Sequence, residues 1–161
     1  MRRFLFAFAL LLSSPAHAQS VGDLVARDLG GALDRLSRDV GRGAVERQFG
    51  RAYAADWWAA MDAVFATARA RALYLAEQGP ACAAIRTREG DAASAWVTCR
   101  IGVEEAAKAL IADLDQIDAI LPDWERMVRE LDTANTSATP AVDAALTAIA
   151  GTKRRLAEGV Y

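Results

Sequence analysis

The sequence predicts an all-α fold, an antiparallel bundle of about four helices stapled by one disulfide, on three observations. First, Val103, Ala107, Leu110, Leu114, Ile117, Leu121, Trp124, Val128 and Leu131 follow one another in steps of four and three without a miss. Such steps return a side chain to one face of a helix, so the stretch from Trp96 to Leu131 reads as a helix packed against other helices. Ile111, Ile120 and Met127 widen the stripe, which suits a buried bundle helix better than a bare coiled-coil seam. Second, two segments upstream and one downstream carry similar spacing, divided by short runs rich in glycine, proline and polar residues. Third, Cys82 and Cys99 flank a short connector, where a bond would tie two adjacent helices together.

The chain opens Met1-Arg2-Arg3, continues through the apolar run Phe4 to Leu12, and reaches Ser13-Ser14-Pro15-Ala16-His17-Ala18. Two arginines, a short apolar stretch and an Ala-x-Ala ending have the form of a secretory signal cut after Ala18. The run is too short to span a bilayer as a helix, and no later stretch is long and apolar enough to do so. The expected mature chain, Gln19 to Tyr161, has the length of one domain with a real core. Periplasmic or secreted is the expected localisation.

Composition excludes several chemistries. The chain carries 19 Lys+Arg and 21 Asp+Glu, and losing Arg2 and Arg3 with the signal leaves a net charge of −4. That balance argues against non-specific nucleic-acid binding. The single histidine, His17, belongs to the signal, so the mature chain has none. His-dependent triads, His general bases and most zinc or haem-iron sites are thereby removed. No cofactor and no metal site is expected.

Helix one is expected from Ser20 to Val40, with Val21, Val25, Leu29, Leu33, Leu36 and Val40 on one face and Asp28, Asp34, Arg35, Arg38 and Asp39 on the others. Gly30-Gly31 lies inside it, either a weakness of roughly 1 kcal/mol per glycine or a hinge or close helix crossing. Gly41-Arg42-Gly43 ends that helix, and Ala44 to Phe49 forms a short turn before Gly50. Helix two runs from about Arg51 to Gln78 on Trp57, Trp58, Met61, Val64, Phe65, Ala68, Ala72 and Leu75, and Gly79-Pro80 is expected to stop it. Ala81 to Asp91 is the connector, with a charged turn Arg86-Thr87-Arg88-Glu89 and Asp91 as N-cap of the central helix. Pro122 leaves the phase of the central seam intact, which favours a continuous, kinked helix over a break. After a polar loop, Thr139 and Pro140 read as N-cap and first residue of the last helix, with Val142, Leu146, Ile149, Leu156 and Val160 on one face and Lys153 in phase with them. Asn135-Thr136-Ser137 is a glycosylation sequon by pattern only.

The candidate sites follow from residues that sit awkwardly in this plan. Cys82 and Cys99, even in number in an exported chain, are expected to form a structural disulfide closing a loop worth ~3 kcal/mol. Trp57 and Trp58 are adjacent, so their Cα–Cβ directions differ by about 100° and one should lie at a flank. They are the candidate interaction residues. Arg100 and Lys153 fall in phase with apolar seams, where a charge needs a partner or must snorkel. They are the candidate anion-binding or ion-pairing residues, with Asp56 and Asp62 as possible partners. The carboxylates of the central helix lie mostly off the seam as a solvated face, with Glu104 placed to pair with Lys108. No catalytic residue is assigned.

Absent catalytic equipment and long amphipathic helices together point to an exported, non-enzymatic helical interaction module. Such a chain would be an accessory, adaptor or chaperone-like component of an envelope or secretion assembly, its partner another envelope or secreted protein. The alternatives are a bundle binding a small apolar ligand between helices and, further off, a carboxylate-based enzyme using residues such as Glu104 or Asp118.

Overall fold

Leu24 and everything before it lie outside the computed structural model, which describes residues 25–39, 42–134, 136 and 138–158. The expected signal, the first residues of helix one, Val40, Asn135, Ser137 and Val160 are therefore outside the described residues. Within them all regular structure is helical. A π-helical turn, Val25–Leu29, runs directly into α1, Gly30–Asp39. Then follow α2 (Arg42–Phe49), α3 (Arg51–Glu89), α4 (Ser94–Leu131) and α5 (Ala138–Ala157).

Helices α3 and α4 form a long hairpin. Cys82 bonds to Cys99, Arg71 pairs with Asp113, and Trp57 stacks on Trp124, so numbers rise on one helix as they fall on the other. The same reversal relates α4 to α5, through Glu125 with Thr139 and Asp118 with Lys153. It also relates α1 to α3, where Asp34 meets Arg69 and, further along the chain, Arg42 of α2 meets Asp62. The π turn and α1 pack on both α3 and α5, while α2 lies across the hairpin's open end against α3 and α4. One continuous apolar cluster joins all of these elements.

Periodicity explains that cluster. From Val103 to Val128, every position of the α4 seam is buried, and Leu131 is half-buried at its end. Val25, Leu29, Leu33 and Leu36 do the same for the first segment, and Trp58, Met61, Phe65, Ala68, Ala72 and Leu75 for α3. Ile120 departs from expectation: it is exposed, since the stripe is narrower there than its width elsewhere implied.

The largest correction concerns Gly79-Pro80. Helix α3 does not stop there but continues to Glu89, so most of the expected connector is helix. Proline in a helix interior removes one backbone hydrogen bond and costs about 3 kcal/mol. Pro80 is on the exposed side, Gly79 and Cys82 are buried against α4, and the alanine-rich run after Pro80 favours helix, which offsets that cost. The true stop is Gly90, at φ 85°, whose amide donates to the Arg86 carbonyl. Only glycine takes that left-handed conformation freely, as it does at Gly50 (φ 86°) between α2 and α3. Pro122 behaves as the phase argued, inside a continuous α4.

The expected caps are also corrected. Ala93, not Asp91, occupies the N-cap of α4, because Asp91 is held by Arg86. Helix α5 begins at Ala138, two residues before Pro140, and the Thr139 hydroxyl donates to the Glu125 carboxylate instead of capping its own helix. Arg42 and Gly43 belong to α2 rather than to a terminating loop.

Gly30 and Gly31 sit where the π turn passes into α1. A Cβ built at either would meet no heavy atom within 4 Å, so no close helix crossing requires them. Gly31→Ala is expected to raise the unfolding free energy by about 0.5–1 kcal/mol through reduced backbone entropy of the unfolded chain. Thermal melting checks this, and a loss of stability would restore a hinge role for the pair.

Candidate functional site

Helix length decides which part of the molecule stays uncovered. At 1.5 Å rise per residue, α3 and α4 are each about 57 Å long, whereas α5 is about 30 Å and the π turn with α1 about 22 Å. The neighbours meet the hairpin along its lower part: Asp34 reaches Arg69, and Lys153 lies 2.7 Å from both Asp115 and Asp118. Toward its turn the hairpin extends past α1 and α5, among the described residues as two helices alone.

The disulfide sits in this extended end. Cys82 and Cys99 have Cα atoms 5.6 Å apart, and the pair replaces the packing that a third helix supplies lower down. With both cysteines changed to alanine, a loss of ~3 kcal/mol is expected from the reopened loop, with helix content kept because the core lies elsewhere. Far-UV circular dichroism and melting of the two forms check it; an unchanged melting temperature would show the bond to be dispensable. Arg71 adds a second tie, its Nη1 donating to Asp113 Oδ2 at 2.6 Å and to the Ala109 carbonyl at 2.9 Å.

The extended end has two faces. On the side that α1 and α5 cover lower down, a groove of about 300 Å³ remains, lined by Gly79, Cys82, Ala83, Trp96 and Val103. Arg86, Arg100 and Glu104 complete its rim. Gly79, itself buried, brings no side chain to that lining. Arg86 lies over the Trp96 ring at 5.5 Å and pairs with Asp91. That hydrogen bond and its charge raise the Arg86 pKa and hold the Asp91 carboxyl below the usual carboxylate range.

Apolar side chains are also exposed at this end. Tyr74 is 43 % exposed, Val97 37 % and Ile101 51 %. Val97 and Ile101 lie one helical turn apart on α4, and Tyr74, on α3, has its hydroxyl close to Gly102. Leu73, 49 % exposed, adjoins Tyr74 in sequence. The signal for this exposure was present in the sequence, since Val97 and Ile101 are four apart and out of phase with the α4 seam.

The residues singled out from sequence are scattered rather than gathered. Trp57 and Trp58 lie at the other end of the hairpin, and Trp58 is core, 2 % exposed, with Trp57 half-buried. Both still reach one neighbour: Trp57 stacks on Trp124 at 5.9 Å while Trp58 meets the same ring edge-on at 5.5 Å. An indole is long enough to reach one partner from Cα positions about 100° apart. Arg42 of α2 covers the Trp58 ring at 5.0 Å. Among the described residues, the buried Nε1 donors of Trp58 and Trp124 have no acceptor.

Arg100 is exposed and pairs with Glu104 at 3.2 Å, not with Asp56 or Asp62. Lys108 pairs with Glu105 at 2.7 Å. Lys153 is half-buried between α4 and α5; burial lowers its pKa, but hydrogen bonds to Asp115 and Asp118 and their charges outweigh this and hold it above the ordinary value. Both cations are thus ion-paired within the chain, and Glu104 and Asp118 are their partners. Among the described residues no cluster of His, Cys, Asp and Glu is arranged to hold a metal ion, and no helix is long and apolar enough to cross a membrane. Comparison with protein-family models, with curated proteins and with solved structures finds no match to this chain.

Proposed function

We propose that the chain is an exported, non-enzymatic interaction module, a component of an envelope or secretion assembly, whose docking surface is the outer face of the disulfide-tied hairpin end. In this reading the first segment, α3, α4 and α5 act as an antiparallel bundle of four, with α2 as a cover over its open end. The observation that carries the proposal is the exposure of Tyr74, Val97 and Ile101 at the end of the hairpin that, among the described residues, α1 and α5 do not reach. Exposed apolar patches of this kind mark interaction sites, and tyrosine is among the residues enriched at interface hot spots. The signal-like N-terminus supports the compartment, where a partner would be another envelope or secreted protein.

The test is capture from envelope extract with the mature protein as bait. Tyr74→Ser combined with Ile101→Ser should lose the partner while keeping helix content and melting temperature, because both sites are exposed. Trp57→Ala serves as the rival, being the half-buried tryptophan of the other end. Loss of the partner with Trp57→Ala but not with the double variant would move the interface to the tryptophan end and sink this assignment.

One observation favours a second reading. The groove beside Trp96 has the size of the smallest ligand pockets, so a small apolar ligand is the alternative occupant. Titrating apolar ligands while following tryptophan emission separates the two readings, and a Trp96→Phe variant identifies the reporting ring.

A further inference from the structure

We propose that the groove between α1 and α5 binds a phosphate group, carried on a small soluble molecule or displayed as a lipid headgroup. Because α1, α3, α4 and α5 each reverse the direction of the one before, α1 and α5 run antiparallel. Asp28, in the turn before α1, accordingly meets Arg155 near the end of α5. Along α5, Ala144, Ala148 and Gly151 follow in steps of four and three, so small residues line the flank turned to this groove. A Cβ built on Gly151 meets no heavy atom within 4 Å. The space left measures about 440 Å³, more than the groove beside Trp96 offers.

Charge decides the class of ligand. Arg35, Arg154 and Arg155 line the groove, with Asp28 as the one carboxylate in its lining. Asp28 is already shared between Arg155, at 3.7 Å, and Arg27, at 3.3 Å. Among the described residues, Arg35 and Arg154 are in no ion pair. The C-terminal end of α5 contributes roughly half a negative charge, less than those two guanidiniums supply. Arg35 stands two turns along from the level of Asp28, about 10 Å away, so cations approach the floor at Gly151 from both ends. A phosphate monoester carries about −1.5 to −2 at neutral pH, which matches two guanidiniums. Its three free oxygens accept paired N–H bonds from one arginine and a further bond from a second, whereas a carboxylate is used up by one. The Thr147 hydroxyl adds a neutral donor to the same lining. The site is independent of whatever binds the hairpin end, which α1 and α5 do not reach.

Inorganic pyrophosphate is the probe. Titration calorimetry at constant ionic strength should show one site per chain. Arg35→Gln and Arg154→Gln should each weaken binding about tenfold, the worth of one charge-assisted hydrogen bond. Gly151→Leu, which keeps all three arginines and fills the groove, should abolish it. Arg126→Gln removes an exposed arginine that pairs with Asp123 on α4, and should change nothing. Circular dichroism checks the fold of each variant; leucine favours helix over the glycine it replaces. Sedimentation with phosphatidylcholine vesicles carrying phosphatidic acid then assigns the source of the phosphate. Co-sedimentation that pyrophosphate displaces and Arg35→Gln abolishes means a lipid headgroup, and pyrophosphate binding without co-sedimentation means a soluble phosphate ester. Neither heat nor vesicle binding would overturn the proposal. So would binding that survives Gly151→Leu, or that Arg126→Gln weakens as much as Arg35→Gln does, since general charge attraction would then suffice.

Discussion

Leu114→Ala is expected to lower the unfolding free energy by about 2–5 kcal/mol, among the largest single-residue effects in this chain. Leu114 is fully buried at the middle of α4, where α3 packs on one side and α5 on the other. Removing three side-chain carbons loses their transfer free energy and leaves a cavity that long, mutually braced helices cannot collapse around. Ile117→Ala, one turn on and 1 % exposed, should fall in the same range. Ile120→Ala is the internal contrast: at 38 % exposed it should change stability by less than about 0.5 kcal/mol. Urea unfolding followed by circular dichroism measures all three, with an unchanged slope showing that native and unfolded states are otherwise alike. A small effect at Leu114 would mean that the seam does not form the core.

Trp124→Ala should be as damaging, at about 3–5 kcal/mol, and for a different reason. Trp124 is the ring on which both Trp57 and Trp58 rest, and with them it closes the hairpin's open end beneath α2. Losing it removes a large apolar surface and two aromatic contacts at once. Trp124→Phe should be much milder, because it keeps an aromatic partner and deletes an indole N–H that has no acceptor among the described residues. A buried donor left unpaired carries a penalty of about 1–3 kcal/mol, so its removal offsets part of the lost volume. Should the phenylalanine variant prove as unstable as the alanine one, the indole N–H must be bound to something, and the cluster would be polar in its workings rather than purely apolar.

How far the sequence led differs from element to element. Periodicity found the whole of α4 and the buried face of every long helix, because a side chain's place on a helix depends only on its own spacing. The cysteine pair was equally legible: two cysteines beside a short reversal are close in space whatever the rest of the chain does. Gly79-Pro80 misled, because its helix-breaking tendency is local, while the burial of Gly79 and Cys82 against α4 that overrides it is not. Arg100 misled in the other direction. It continues the α4 seam in phase, yet it is exposed and pairs with Glu104.

The sequence by itself determined that the protein is helical, which faces of its helices are apolar, and that Cys82 and Cys99 would join. Tertiary structure alone decided which of those faces is covered. Helices α3 and α4 are nearly twice the length of α5, so an apolar residue near their turn stays exposed, while one of equal hydrophobicity lower down is buried. It also decided that Trp57 and Trp58 share Trp124, and that Lys153 lies between two aspartates of another helix. The physical reason is the same in each case. Spacing along one helix is set by 3.6 residues per turn, but burial depends on how far the neighbouring helices reach, and that is a property of the whole assembly.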